Sequence, residues 1–279
     1  MTFETKFPWI IFKIGDRYFG IYSIFVTEMV VLPKLNRIPQ VPDYIRGVMK
    51  LRDKVITVAD LRKILKMPTV QTETENLIEL LKEREQDHKN WLAELEASVR
   101  ESRVFKLATD PHQCKFGKWY DSYKAPNIIL ENHMKKFDAP HKRIHSLAGE
   151  VIDLVKSGEH GQAYRRIEET RHGILAELVN LFETARKLLH ESMTEISMVL
   201  HHEDKTISLS VDSVESVEYL QEESVQDIPG FSGRLQNHLV GKTARNLKGD
   251  KFILLVNAQL LFEDVEEFTA IPPNLGLES

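Results

Sequence analysis

Four side chains in this sequence have the types and the order to hold one metal ion: His88, Cys114, His141 and His145. Cys114 is the sole cysteine of the chain. His141 and His145 stand four residues apart, and on a helix such residues share a face with Cβ atoms about 5–6 Å apart. One cation can therefore touch both. Three imidazoles and one thiolate complete a closed tetrahedral set, which suits zinc. Taken singly, each part is a weak signal. A lone His-x-x-x-His pair is more often an ordinary surface or core pair, and a cysteine opening a helix can equally be a small buried hydrophobe. The order of the parts narrows the reading: His-x-x-Trp from His88 to Trp91, then Cys-x-Phe-Gly-x-Trp from Cys114 to Trp119, then His-x-x-x-His from His141 to His145.

Hydrolytic zinc needs an open coordination position and usually a nearby base. Four protein ligands leave no such position. The His-Glu-x-x-His motif is begun at His190-Glu191-Ser192-Met193-Thr194 but lacks its second histidine. A zinc metalloenzyme is therefore the lesser reading and a non-enzymatic binding protein the greater. His112, two residues from Cys114, points elsewhere on its helix and is expected to be exposed. His133 and the His201-His202 pair stand apart from the set. The charged runs at residues 82–85 and 165–171 read as solvated helix faces.

These donors need helices to bring them together. From about Thr72, Leu77, Ile78, Leu80 and Leu81, then Trp91, Leu92, Leu95 and Val99, recur at helical spacing. That predicts a long helix carrying His88. A second helix is expected with Asp110 as its cap, Pro111 in a first turn that tolerates proline, and Cys114 just after. Phe116, Trp119, Tyr120 and Tyr123 form its core stripe, and Gly117 is expected to let a neighbouring helix approach closely. A third should run from near Asp138-Ala139-Pro140 to about Lys156, broken by Ser157-Gly158, and carry His141 and His145. A fourth runs from about Gly161 to Met193, with Ile167, Ile174, Leu175, Leu178, Leu181 and Phe182 facing inward. Four helices with short links predict a bundle.

This helical stretch, roughly residues 85–190, resembles the chemoreceptor zinc-binding domain family. The likeness is carried by His88-Lys89-Asn90-Trp91, Cys114-Lys115-Phe116-Gly117-Lys118-Trp119 and the pair His141 and His145. It implies a four-helix bundle holding one zinc through three histidines and one cysteine. Relatives of this bundle are associated with sensing zinc and hypochlorous acid through that cysteine, which makes Cys114 the redox-sensitive residue expected here.

Both flanks read as β structure. Phe12-Lys13-Ile14 and Tyr18-Phe19-Gly20-Ile21 flank a hairpin signal at Gly15-Asp16-Arg17, and two strands surround Arg52-Asp53-Lys54. Asp60 is placed to cap a short helix through Leu65. After about Thr194, Ile196-Ser197-Met198-Val199-Leu200 and Thr206-Ile207-Ser208-Leu209-Ser210 flank a polar turn. Residues 211–220 alternate at period two, and the last residues, with Pro272 and Pro273, read as a tail. The flanks echo each other: residues 53–60 line up with residues 250–257, each after a glycine-led strand (Gly47, Gly241) and before an apolar helical turn. Two related β units around a bundle predict one interrupted domain.

That interrupted domain resembles the CheW-type adaptor family of bacterial chemotaxis, over about residues 7–68 and 195–265. The likeness rests on Ile38-Pro39-Gln40-Val41-Pro42-Asp43-Tyr44-Ile45-Arg46-Gly47-Val48, on Leu51-Arg52 through Asp60-Leu61-Arg62, and on Val211-Asp212-Ser213-Val214. The family usually reads Asn-Leu-Arg-Gly where this chain has Lys50-Leu51-Arg52-Asp53, and aspartate where it has Asn257. The resemblance implies two small β-barrels packed together and a link between chemoreceptors and the histidine kinase CheA, with Arg52 on the partner-binding surface. On sequence alone Arg52 is a turn residue.

The expected architecture is α+β: a two-subdomain β-barrel adaptor in residues 1–72 and 194–279, with an inserted four-helix zinc-binding bundle in residues 73–193. The expected function is a chemotaxis scaffold coupling chemoreceptor tips to CheA, with Zn2+ as cofactor and an insert that responds to zinc or to oxidants; purely structural zinc is the alternative. A homodimer through the bundle stays open. The net charge of −5 and the lack of basic runs interleaved with aromatics argue against nucleic acid. No apolar run reaches membrane-spanning length. One cysteine excludes an intrachain disulfide and fits a reducing compartment, and with no signal-peptide pattern the cytoplasm is expected.

Overall fold

The structure, a computed structural model, describes residues 7–191, 194–228 and 239–264; the expected tail lies outside them. In chain order come β1 (Trp9–Ile14), β2 (Arg17–Tyr22), β3 (Val26–Val31), β4 (Ile45–Leu51), β5 (Lys54–Asp60) and α1 (Leu61–Ile64). Helices α2 (Val70–Arg100), α3 (Lys115–Tyr120), α4 (Ile128–Met134), α5 (Asp138–Lys156), α6 (His160–Thr170) and α7 (Ala176–Glu191) follow. The chain then returns to β6 (Ile196–His202), β7 (Lys205–Val211), β8 (Ser213–Glu218), β9 (Gln226–Asp227), β10 (Val240–Arg245), β11 (Phe252–Val256) and α8 (Ala258–Asp264). Two compact units result: residues 1–70 joined to 194–279, and residues 71–193.

In the β unit each sheet draws strands from both ends of the chain. One sheet has the order β8-β1-β2-β11-β10-β9 and the other β3-β6-β7-β5-β4. In each, a hairpin from one end lies parallel to a strand from the other: β2 beside β11, and β7 beside β5. The echo seen in the sequence is thus an echo of topology, β4-β5-α1 against β10-β11-α8. Both hairpins carry a register shift near their glycines, between Ile45 and Gly47 and between Val240 and Lys242. Gly47 sits at φ +138°, and a Cβ there would meet the Asn36 carbonyl oxygen at 2.3 Å, so only glycine fits. Asp60 caps α1 by accepting from Lys63 N–H at 3.3 Å, and Asn257 accepts from the amides of Gln259 and Leu260 at 3.2 and 3.5 Å. A side-chain oxygen is all a cap requires, so asparagine serves where the resemblance implies aspartate.

The sheets do not close into the expected barrels. Among the described residues each order runs from edge to edge. Closure would need the edge strands to pair, but β9 spans two residues and β8 leaves Val217 58% exposed. The core of this unit joins Phe12, Ile14 and Phe19 to Leu200, Leu209, Leu261 and Phe262. An ion pair also ties the ends: Arg62, buried, reaches the Asp212 carboxylate through Nε at 2.8 Å and Nη2 at 2.5 Å, and donates to the Pro68 carbonyl at 2.6 Å. The same carboxylate accepts from Gly15 N–H at 2.6 Å.

The helical unit has its own core, built on Leu81, Leu95, Phe116, Phe137, Ile144, Leu178 and Phe182. α5 starts at Asp138 and ends at Lys156, and Gly158 takes φ +79° just beyond. A short helix not expected from the sequence, α4, is capped by Asn127, whose side chain accepts from Leu130 N–H at 2.9 Å. The expected fourth helix is interrupted by a π turn over Arg171–Leu175. Its buried positions explain why. They run Ala163, Ile167 and Thr170, then jump five residues to Leu175 before resuming at Leu178, Phe182, Ala185 and Leu189. A π turn absorbs that step and keeps one face inward.

Because both sheets are completed across the interruption, the β unit carries what it needs to fold. A chain lacking about residues 73–193, closed by a short Gly/Ser link, is expected to keep its β circular-dichroism signature and a cooperative melt. Loss of structure at several linker lengths would contradict this.

Candidate metal centre

α2 buries Leu81, Glu85, His88, Trp91, Leu92 and Leu95 along one stripe. His88 is on that stripe because it is one turn from both Glu85 and Trp91. Its Nδ1 lies 2.7 Å from the Arg84 carbonyl oxygen. A carbonyl only accepts, so Nδ1 carries the proton and Nε2 presents its lone pair. His145 on α5 is arranged likewise, with Nδ1 3.1 Å from the Ala108 carbonyl oxygen. The Nε2 atoms of His88 and His145 are both buried without a hydrogen-bond partner in the protein. An unsatisfied buried polar atom costs about 1–3 kcal/mol, and this site holds two. His141, one turn before His145, places Nε2 3.2 Å from Cys114 Sγ.

Cys114 arrives differently from the sequence expectation. α3 begins at Lys115, not at Pro111, and Asp110 is not its cap. Asp110 instead accepts from His112 N–H at 2.9 Å, stabilising a turn ahead of the helix. Cys114 is itself the cap, with extended backbone (φ −72°, ψ 161°), and its sulfur accepts from Gly117 N–H at 3.1 Å. Gly117 also has another role than expected. A Cβ there would lie 1.8 Å from the Pro111 carbonyl oxygen, so glycine makes room for the turn that delivers Cys114, not for a neighbouring helix. Chain order alone does not signal so local a contact.

The structure therefore brings His88, Cys114, His141 and His145 together, with all four donor atoms within 4.8 Å of one another. Metal–ligand bonds of zinc length set tetrahedral donor separations of roughly 3.3–3.6 Å, so small side-chain rotations suffice to close the set. The walls are apolar: the Phe116 ring stands 4.9 Å from that of His141 and 5.6 Å from that of His88, and Phe182 stands 5.9 Å from His88. Two orphaned imidazole nitrogens, a thiol and a third imidazole in one pocket fit a metal ion of borderline softness. Among the described residues this is the one such group of donors.

Burial dominates the electrostatics in the metal-free protein. Desolvation pushes His141 down to about 3 and His145 down to about 4, with the neighbouring His88 adding repulsion in each case. His88 is lowered by burial as well. All three are neutral near pH 7 with lone pairs available. Burial raises the Cys114 thiol, so a bound cation has to drive off its proton.

Other residues singled out in the sequence lie apart from this group. His112 is exposed and meets the Asp121 carboxylate at 2.9 Å. His133 is buried, its Nε2 donating to the Leu181 carbonyl at 2.8 Å. His201 contacts the Thr206 hydroxyl, and His202 packs on Phe25 and Phe262. Arg52 belongs to the β unit. It stands in the β4–β5 turn at φ +54°, 79% exposed, with Glu28 at 3.2 Å.

Models of both families match parts of the chain. Residues 8–88 match the family model of the CheW-like domain, and residues 88–152, which hold all four donors, match that of the chemoreceptor zinc-binding domain. A solved structure of the scaffolding protein TtCheW from Thermoanaerobacter tengcongensis is similar at 14% identity, with 92% of each chain covered and a TM-score of 0.43. No curated protein matches. Among the described residues, no helix is long and apolar enough to cross a membrane.

Two outcomes follow from this geometry. Gly117→Ala should destabilise the helical unit by about 1–3 kcal/mol, as overpacking against backbone does, seen as a lower melting temperature. The lowered histidines set the sign of the acid response. Their folded values lie below the unfolded value of 6.5, so the unfolded chain takes up protons first as pH falls. The stability these two histidines contribute to the metal-free protein is present in full above about 6.5 and is lost as pH falls through about 4 and 3. His141→Gln with His145→Gln should flatten that part of the melting-temperature profile, and an unchanged slope would contradict the assignment.

Proposed function

We propose that this chain, which carries a CheW-like domain and a chemoreceptor zinc-binding domain, is a chemotaxis scaffold with a zinc-holding sensor inserted in its adaptor. Residues 1–72 and 194–279 form the adaptor and residues 73–193 the insert. The observation that carries this reading is the buried cluster of His88, Cys114, His141 and His145, with its orphaned nitrogens, in the segment that separates the two halves of the β unit. The adaptor would couple chemoreceptors to the histidine kinase CheA in the cytoplasm, without enzymatic activity of its own. Arg52, exposed at the tip of a hairpin, is the residue proposed to meet a partner.

In this reading His88, His141 and His145 offer Nε2 and Cys114 offers its sulfur. Zinc, when bound, would hold the thiol deprotonated. A thiolate attacks hypochlorous acid at chlorine: an S–Cl bond forms and hydroxide leaves, water then displaces chloride from sulfur, and the product is sulfenic acid, a two-electron oxidation. Cys114 is half-buried, whereas the three histidines are almost fully enclosed, which supports the cysteine as the ligand most open to an oxidant. Oxidised Cys114 is a poorer ligand, and the helices that carry the donors are freed from their common tether. The chain holds no second cysteine, so reduction requires an external thiol or a second subunit. A purely structural zinc uses the same four donors without the oxidation step.

Metal analysis of the purified chain should give close to one zinc per chain, and a Cys114→Ala, His141→Ala double variant should give none. Zinc-binding peptides without a core gain ~10–16 kcal/mol from the metal. This unit has its own core, so the metal-free chain is expected to loosen and not to unfold. Hypochlorous acid at low stoichiometry should produce sulfenic acid at Cys114 together with zinc release, followed by mass spectrometry. If methionines oxidise while Cys114 stays reduced, the structural reading replaces the sensory one. Pull-down of the kinase with and without zinc tests the coupling.

A further inference from the structure

We infer that Trp91 is a positioning residue of the metal centre, acting on His145 through the Ala108 carbonyl; the inference rests on reading the four-donor cluster as a zinc site. Trp91 is buried one turn after His88 on α2. Its indole Nε1–H donates to the Ala108 oxygen at 2.7 Å. The same oxygen accepts from His145 Nδ1–H at 3.1 Å. A carbonyl has two lone pairs, and here both are used. The indole also stands against the His145 ring, with centroids 5.0 Å apart and planes at 63°.

Ala108 lies in the connection between α2 and α3, outside regular structure. That connection is pinned at its start by Arg103, which pairs with Glu94 and Glu101. It is pinned at its end by the turn before Cys114. Between these anchors the Ala108 carbonyl is held by the indole N–H and by His145, with Phe105 packed on the indole at 5.2 Å. An aromatic ring of any kind could fill this space. Only one with an N–H at this edge can hold the Ala108 oxygen where His145 needs it. Without that hold His145 loses a fixed acceptor, and neither its Nδ1–H tautomer nor the aim of Nε2 is enforced. Groups that orient a ligating histidine typically account for about 10–100-fold in metal affinity. One tryptophan thus links the ring of His145 to the helix that carries His88 and to the connection that leads to Cys114.

The test is zinc affinity of the full chain by competition with a chromophoric chelator, for wild type and Trp91→Phe. Melting of the metal-free forms and 15N-histidine spectra of the zinc-loaded forms accompany it. The expected result is an affinity loss of about 10–100-fold with the His145 Nδ1–H signature lost or exchanging. A residue that merely packs would lower the metal-free melting temperature and leave affinity and tautomer as in wild type, which overturns the inference. If Trp91→Phe does not fold, 3-benzothienylalanine at position 91 keeps the shape and removes only the N–H, and the same readings apply. Wild type that binds no zinc overturns the zinc reading and this inference together. Wild type that binds zinc, with both variants binding equally tightly, overturns this inference alone.

Discussion

Two parallel strand pairings carry the fold: β2 with β11 and β5 with β7. Each joins a strand from before the helical unit to one from after it. Neither end of the chain can bury its apolar strands alone, because a lone hairpin is marginal in water. β1, β5 and β7 are buried over most of their length, which requires neighbours on both sides. The ion pair of Arg62 with Asp212 repeats the pattern in one contact, joining residues 150 positions apart.

The same constraint explains how a whole helical unit can stand within the β unit. Pairing across an interruption costs loop-closure entropy, but that cost grows slowly, by about 0.6 kcal/mol for each doubling of length. A segment that folds on its own core adds little further to the cost. What the inserted unit must solve is internal. It holds three imidazoles out of water, each pushed down by burial, and leaves two nitrogens unsatisfied. Such an arrangement is unfavourable for a plain core and suited to a cation, which supplies the missing partner to both at once.

Much of the precision of the centre comes from backbone rather than side chains. Carbonyls of Arg84 and Ala108 set two imidazole tautomers, and the Pro111 carbonyl fills the place where any residue other than Gly117 would put its Cβ. The π turn over Arg171–Leu175 acts in the same local way, re-phasing a helix so that Phe182 reaches the wall of the site. The junction before α2 begins at Pro68, whose carbonyl Arg62 holds.

Periodicity by itself determined the long helices and most strands, because each long stretch buries one face and shows it in spacing. The pairing of His141 with His145 was equally readable, since four residues on a helix is a local distance. The cap at Asp60 and the echo between the two β flanks were readable for the same reason. Other features depended on contacts, near or far in the chain, that hydrophobic spacing does not record. Among the described residues the sheets stay open, and in the first of them the edge strand β9 spans only two residues, which no alternation pattern reveals. The start of α3 was displaced to Lys115 because Asp110 is drawn into a turn with His112, and proline marks a helix start only when its predecessor remains free to cap. The role of Gly117 was decided by the Pro111 carbonyl, and that of Trp91 by an oxygen seventeen residues away. Residue types and order named the four donors. Only the packing of α2, α3 and α5 around Phe116 and Phe182 could bring their atoms within 4.8 Å, because separations of tens of residues are closed by burial and not by local geometry.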